Sequence, residues 1–203
     1  MSTLLDEQEI RRLRERWAFG RDYGDWDEIA ACFHPGATIS ISWYQGDVAG
    51  FIKGSRKLNA KRAPDERGKH WLGGARYWIE GDRAVAETDA MILGRVRLDG
   101  YLFDTTTWAR FHDLVERRDG DWKIVQWKMI YDADRMDAVE PAKVPAAFHE
   151  NIDLSPYPAA CAHLCYRLAK SGQSVGGNII SRGSGAEAAC KDEGRRWLAG
   201  EPV

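Results

Sequence analysis

Three tight turns constrain this chain more than anything else in it. Gly81-Asp82, Asp99-Gly100 and Asp119-Gly120 separate four long runs rich in β-branched and aromatic residues. Asp and Gly tolerate the positive φ that a two-residue hairpin corner demands, so the runs on either side are driven into antiparallel pairing. The runs are Trp71–Ile79, Arg83–Leu98, Tyr101–Arg117 and Trp122–Tyr131. Together they predict an antiparallel meander. Strand alternation sorts Arg83–Leu98 into two faces, Val85, Glu87, Asp89 and Met91 on one, Ala84, Ala86, Thr88 and Ala90 on the other.

The chain ahead of the meander reads differently. Ile10, Leu13 and Trp17 recur at helical spacing over residues 5–21, with Arg and Glu between them. Gly20 and Gly24 bracket the end of that helix. Asp25-Trp-Asp-Glu28 is a capping box for a second, short helix, which must stop before Pro35. Ala37–Tyr44 predicts a strand, Gln45-Gly46-Asp47 a turn, residues 50–62 a third helix and Pro64–Lys69 a polar loop. Helices followed by a meander define an α+β fold rather than alternating α/β. Residues 1–135 therefore read as one domain and 136–203 as a C-terminal extension. Four prolines break up the first half of that extension. Cys161–Lys170 and Ala186–Leu198 predict two helices joined by a Gly/Ser-rich stretch. The extension either wraps the core or forms an arm.

Composition narrows the function. Charged residues make up 30% of the chain, yet the net charge is -2 and the signs are interspersed, which argues against a nucleic-acid partner. Nine Trp suit either an aromatic small-molecule pocket or a Trp-rich core. The N-terminus has no apolar run ahead of a cleavage site, no stretch has the apolar length of a membrane span, and the four Cys are scattered. The expectation is a soluble, cytoplasmic protein with no membrane partner.

Three pieces carry a resemblance: RDYGDWDEIAACFHPGA (Arg21–Ala37), GDRAVAET (Gly81–Thr88), and RFHDLVERRDGDWKI with the following YDAD (Arg110–Ile124, Tyr131–Asp134). Over residues 5–135 the chain resembles the nuclear transport factor 2-like superfamily, in its SnoaL-like branch. That branch holds scytalone dehydratase, bile acid 7α-dehydratase and hexachlorocyclohexane dehydrochlorinase. The resemblance implies a cone-shaped α+β barrel, with N-terminal helices packed on a curved antiparallel sheet. It also implies a homo-oligomer, dimer or trimer. Dehydratases of the branch carry an aspartate at the end of the first helix and a histidine at the start of the strand after the third. Asp22 and His70 match those positions. In these relatives the histidine abstracts a proton while the aspartate holds its tautomer.

The chemistry needs those residue types. Proton abstraction beside a carbonyl requires a base with a pKa near the working pH, which histidine supplies without tuning. A carboxylate on the far ring nitrogen decides which nitrogen is free and steadies the imidazolium that forms. Loss of water or halide from the next carbon gives an elimination; return of the proton elsewhere gives an isomerisation. Neither needs a metal or a cofactor.

The expectation is thus a cofactor-independent lyase or isomerase acting on a small, hydrophobic, carbonyl-bearing molecule. His70 is the general base, Asp22 its orienter, and Trp17, Trp43, Tyr44, Met91 and Trp108 line the substrate pocket. No metal site is expected, because Cys161 and Cys165 share a helix face that His163 does not. Arg110 and Asp113 are expected to pair on a sheet face, Glu87 and Asp89 to form a solvent-facing row, and His112 fits either face. Two rival readings stand beside the lyase. One is a non-catalytic binding or assembly module like the β subunit of ring-hydroxylating dioxygenases; the other is a polyketide cyclase-type enzyme. A closed pocket favours an enzyme, whereas a filled core with an exposed apolar sheet face favours an assembly module.

Overall fold

The computed structural model describes residues 4–203. Three helices come first or early: α1 (Leu4–Tyr23), α2 (Trp26–Ala31) and α3 (Val48–Ala60). Strands β1 (Phe33–Ile41) and β2 (Tyr44–Asp47) lie between α2 and α3. The meander follows as β3 (Arg67–Glu80), β4 (Arg83–Leu98), β5 (Tyr101–Arg118) and β6 (Asp121–Ala138). The extension adds α4 (Ala146–Glu150), α5 (Ala162–Lys170), β7 (Ile180–Ser181) and α6 (Gly185–Leu198). The α+β class and the helices on a curved sheet are as the sequence predicts.

The sheet order is β2-β1-β6-β5-β4-β3, with β7 also pairing β6, so the curved sheet stays unclosed. The Asp-Gly turns behave as expected: Asp99, Gly100, Asp119 and Gly120 all have positive φ. One expectation needs correction. The sheet is mixed rather than wholly antiparallel, because the meander carries β6 back to lie parallel to β1. β1 also starts four residues before Ala37. A register shift between Phe33 and Thr38 absorbs Pro35 and Gly36, the latter at φ 80°.

Local chemistry sets where α1 ends. Gly24 takes φ 79° just past the helix, and the Asp25 N–H bonds back to the Gly20 carbonyl at 2.8 Å. A methyl group at Gly20 would meet the Asp25 carbonyl at 2.9 Å, so the glycine lets α2 fold tightly against α1. The Asp25 side chain then caps α2 through the Glu28 N–H. Asp22 is left in the last turn of α1, facing β3.

The core between helices and sheet is aromatic. Trp17 meets Trp127 and Phe111 edge to face, with ring centroids 4.7 and 5.3 Å apart. Arg14 is buried among these rings, 4.5 Å from the Phe111 centroid, and its Nε donates to Asp113 at 2.6 Å. The expected Arg110–Asp113 pair is therefore not formed. Three positions along a strand put two residues on opposite faces, and Arg110 bonds outward to Asp89 instead, at 2.9 Å.

The extension covers both faces of the sheet. Helix α5 packs on the concave face, its Leu164, Cys165 and Leu168 joining the core. Helix α6 packs on the convex face, where Trp197 meets Val85, Leu114 and Val125. The expected solvent-facing Glu87–Asp89 row is half right. Asp89 is exposed, but α6 leaves Glu87 only 7% exposed, paired with the equally buried His112. Beyond α6 the convex face is bare, and Trp71, Met91 and Trp108 form a cross-strand row there.

Candidate active site

Asp22 and His70 meet where α1 packs on β3. Oδ1 of Asp22 lies 2.7 Å from Nδ1 of His70, and the His70 backbone N–H donates to Oδ2 at 3.0 Å. One carboxylate thus fixes both the ring and the strand that carries it. Facing a carboxyl oxygen that accepts, Nδ1 donates the ring proton, and Nε2 keeps the free lone pair. Trp17 supports the ring edge-on at 5.1 Å. Among the described residues Nε2 has no hydrogen-bond partner, and the ring forms part of the wall of a cavity of about 520 Å3. That volume lies within the range of small-molecule sites. Burial pushes the His70 pKa below its ordinary value; Asp22 pulls it up, while Arg21 and Arg62 push it down. The imidazole is therefore neutral at neutral pH, the state a general base requires.

The cavity has an apolar part and a strongly polar part. Phe51, Phe111 and Met129 supply apolar wall. Trp17, Trp127 and Ser42 are also among its lining residues, and among the described residues their indole N–H groups and hydroxyl, all buried, have no hydrogen-bond partner. Buried donors without partners are costly. Tyr131 lines the cavity too. Its hydroxyl accepts the Ser42 backbone N–H at 3.0 Å and also interacts with the Ser42 side chain. Burial pushes the phenol pKa up and keeps it protonated.

The expected lining is right in part. Trp17 and Trp43 line the cavity. Tyr44 does not: its hydroxyl turns back to the Asp47 carbonyl at 2.8 Å while its ring packs on Phe51. Met91 and Trp108 also fall outside. They are register partners, one position out of step with His70, Ile92 and Thr107, so strand alternation places them on the convex face. Cys161 and Cys165 are buried with their sulfurs 3.6 Å apart, and His163 turns away to Asp134. Among the described residues no three His, Cys, Asp or Glu side chains are grouped to hold a metal.

Among the lining residues that escaped the sequence reading are Trp127, Tyr131, Arg21, Arg62 and Arg167. Tyr131 and Arg21 stood inside the motifs quoted above, and strand parity with Trp127 and Met129 marks Tyr131 as inward. Nothing local marks Arg62 or Arg167. Arg167 reaches the cavity because α5 docks there. The buried Asp134 of β6 anchors that helix, accepting the Leu164 N–H at 2.7 Å and bonding His163 Nδ1 at 2.9 Å. No side chain of the α5 N-cap residue does this, so a strand residue caps the helix instead.

Helices over a curved open sheet, with an aspartate-held histidine in the wall of an internal cavity, define an NTF2-like cavity protein. Residues 2–128 match the SnoaL-like domain, and the chain belongs to that family. Pea pathogenicity protein 2 of Fusarium vanettenii is 30% identical over 170 residues, spanning 81% of this chain and 70% of that protein. A PEP2-like protein of the same fungus is 30% identical over 168 residues, 80% of this chain and 69% of its own length. Among solved structures, a candidate scytalone dehydratase from Novosphingobium aromaticivorans superposes with a TM-score of 0.56 at 15% identity, over 65% of this chain and 87% of that one. Hexachlorocyclohexane dehydrochlorinase LinA-type3 from Novosphingobium barchaimii gives 0.54 at 20% identity, over 70% and 93%. At these identities the structures share the fold. No helix among the described residues is long and apolar enough to cross a membrane.

Proposed function

We propose that this chain is a lyase or isomerase that begins by removing a proton beside a carbonyl, with His70 as the base and Asp22 as the group that holds its tautomer. What supports the reading is one juxtaposition. A carboxylate-held imidazole shares a cavity wall with Trp17, Trp127 and Ser42, residues whose buried donors have no hydrogen-bond partner among the described residues. Nε2 takes the proton. The C–H electron pair moves towards the carbonyl, whose oxygen receives hydrogen bonds from those donors. In an elimination the leaving group departs from the next carbon with its bonding pair, and the imidazolium returns the proton to a leaving hydroxide. In an isomerisation the proton returns at another carbon. No step calls for a metal or a cofactor. The names of the two solved neighbours, a dehydratase and a dehydrochlorinase, both denote eliminations.

General-base action is typically worth about 10²–10⁴-fold in rate. A panel of β-hydroxy and β-halo carbonyl compounds, assayed for double-bond formation and for α-proton exchange with solvent deuterium, tests the reading. His70→Ala should lose both activities while its circular dichroism stays unchanged; retained turnover would sink the assignment.

The bare row of Trp71, Met91 and Trp108 supports a partner on the convex face. Trp71 is 54% and Trp108 38% exposed there. We propose a homo-oligomer, with a second copy of this chain seated there.

A further inference from the structure

We infer that the substrate carries an oxyanion, a carboxylate or a phosphate ester, and that the guanidinium groups of Arg62 and Arg167 receive it in the cavity that His70 lines. The inference rests on the reading of this cavity as the active site.

Nine lysines and arginines line the cavity against two acids, Glu66 and Asp99, although the whole chain has a net charge of -2. Several of these cations already have partners. Arg95 pairs with Asp104, Arg97 with Asp65 and Lys170 with Asp99. Arg21 bonds the Asn59 side chain at 3.0 Å. Arg62 and Arg167 are different. Among the described residues neither guanidinium has an ion pair or a side-chain hydrogen bond, and Nε of Arg167 is buried without a partner. The nearby carboxylate of Glu66 is committed to the backbone, accepting N–H groups from Ala63 and Arg97, each at 2.8 Å.

The backbone makes room for the pair. Gly68 of β3 and Gly94 of β4 are register partners. A methyl group at Gly68 would meet Nη2 of Arg62 at 2.6 Å, and one at Gly94 would stand 4.0 Å from Cζ of Arg167. The Arg62 guanidinium thus lies where a side chain at Gly68 would stand, and that of Arg167 is in van der Waals reach of the facing Gly94. Arg62 is exposed, whereas Arg167 is half-buried with its Nε unpartnered, and burial together with Arg62 brings the Arg167 pKa down to about 10. Two like charges lining one cavity, one of them partly desolvated, are well arranged for a bidentate anion. The distribution of polarity fits one molecule. The anion sits at the arginines, its apolar body contacts Phe111 and Met129, and its carbonyl reaches the donors near His70.

Calorimetric titration of the full chain at low salt tests this, using 2-naphthoate, its neutral isostere 2-naphthamide, and inorganic phosphate. Naphthoate, phosphate or both should bind, naphthoate at least about ten-fold tighter than naphthamide. Arg62→Gln and Arg167→Gln should each weaken anion binding about ten-fold, yet melt no lower than the parent because each removes an uncompensated charge. Anion binding should also raise the pH at which the His70 ring titrates, since it offsets Arg62. Equal affinity for naphthoate and naphthamide, no binding of either anion, or binding indifferent to both arginine variants would overturn the inference. A lower melting temperature in both variants would show the arginines to be structural and would also overturn it. His70→Ala separates this inference from the reading beneath it. If that variant turns substrate over, the base assignment fails, whereas the inference about the anion is judged by the arginine variants alone.

Discussion

Asp22→Asn is the sharpest probe of the site, because it changes one charge and almost no volume. Asp22 accepts from His70 twice, at Nδ1 and at the backbone N–H, at 2.7 and 3.0 Å. An amide has one acceptor oxygen. If that oxygen keeps the backbone N–H, the NH2 group faces Nδ1 and forces the ring proton onto Nε2. The base nitrogen is then blocked. Hydrogen bonds to charged groups contribute about 1.5–3 kcal/mol, which at 1.36 kcal/mol per factor of ten moves the tautomer ratio about ten- to a hundred-fold. The carboxylate also steadies the imidazolium in the transition state, and its loss brings the expected fall in kcat/KM to about 10²–10⁴-fold. The fold should tolerate the change. Asp22 is at a helix end, and a loss of about 1 kcal/mol shifts the melting temperature by only about 2–4 °C. Two-bond proton–nitrogen correlation spectra read the tautomer directly, without a substrate. In the parent, Nε2 should appear unprotonated at neutral pH; in the variant it should carry the proton. A parent ring protonated at Nε2, or a variant with unchanged tautomer and unchanged turnover, would refute the reasoning.

Other outcomes follow from the same geometry. Burial, Arg21 and Arg62 together outweigh Asp22 and hold the His70 pKa below its ordinary value, so kcat/KM should stay level at neutral pH and fall only as pH drops below about 6.5. An acid limb above that value would contradict the balance of charges described. The same sign governs stability: the unfolded ring takes up its proton first, so this group costs stability as pH falls below its unfolded pKa towards the folded one. Asp134→Ala removes the cap on α5 and leaves its N-terminal donors unmet, which should destabilise the chain by about 2 kcal/mol and weaken anion binding by releasing Arg167. Unchanged melting in denaturant would disprove the anchoring role. Trp71→Asp puts a charge into the convex row and should convert the oligomer to monomer by light scattering without changing the circular dichroism. A parent that is already monomeric would end that proposal.

The local parts of this protein are legible in its residues. Asp-Gly turns, strand alternation and the Asp25 cap are set within a few positions, and they place β4, β5 and α2 almost to the residue. The motif around Asp22 and the strand start at His70 point to a dyad, and the fold brings the two within hydrogen-bond distance. Strand parity was also available, and it would have moved Met91 and Trp108 away from the cavity. What only the tertiary structure decided are the contacts between distant segments. The parallel pairing of β6 with β1 depends on where a long crossover returns. The burial of Glu87 and His112 depends on α6 lying over one half of the sheet and not the other. Most of all, Arg62 and Arg167 come from separate, unremarked stretches, and no local rule sets either beside the Gly68–Gly94 pair. Their meeting is a consequence of how α5 docks. A hydrophobic pattern specifies which face of a helix is buried, but not which buried partner it meets. The charge of the cavity was therefore invisible in a chain whose overall charge is close to neutral.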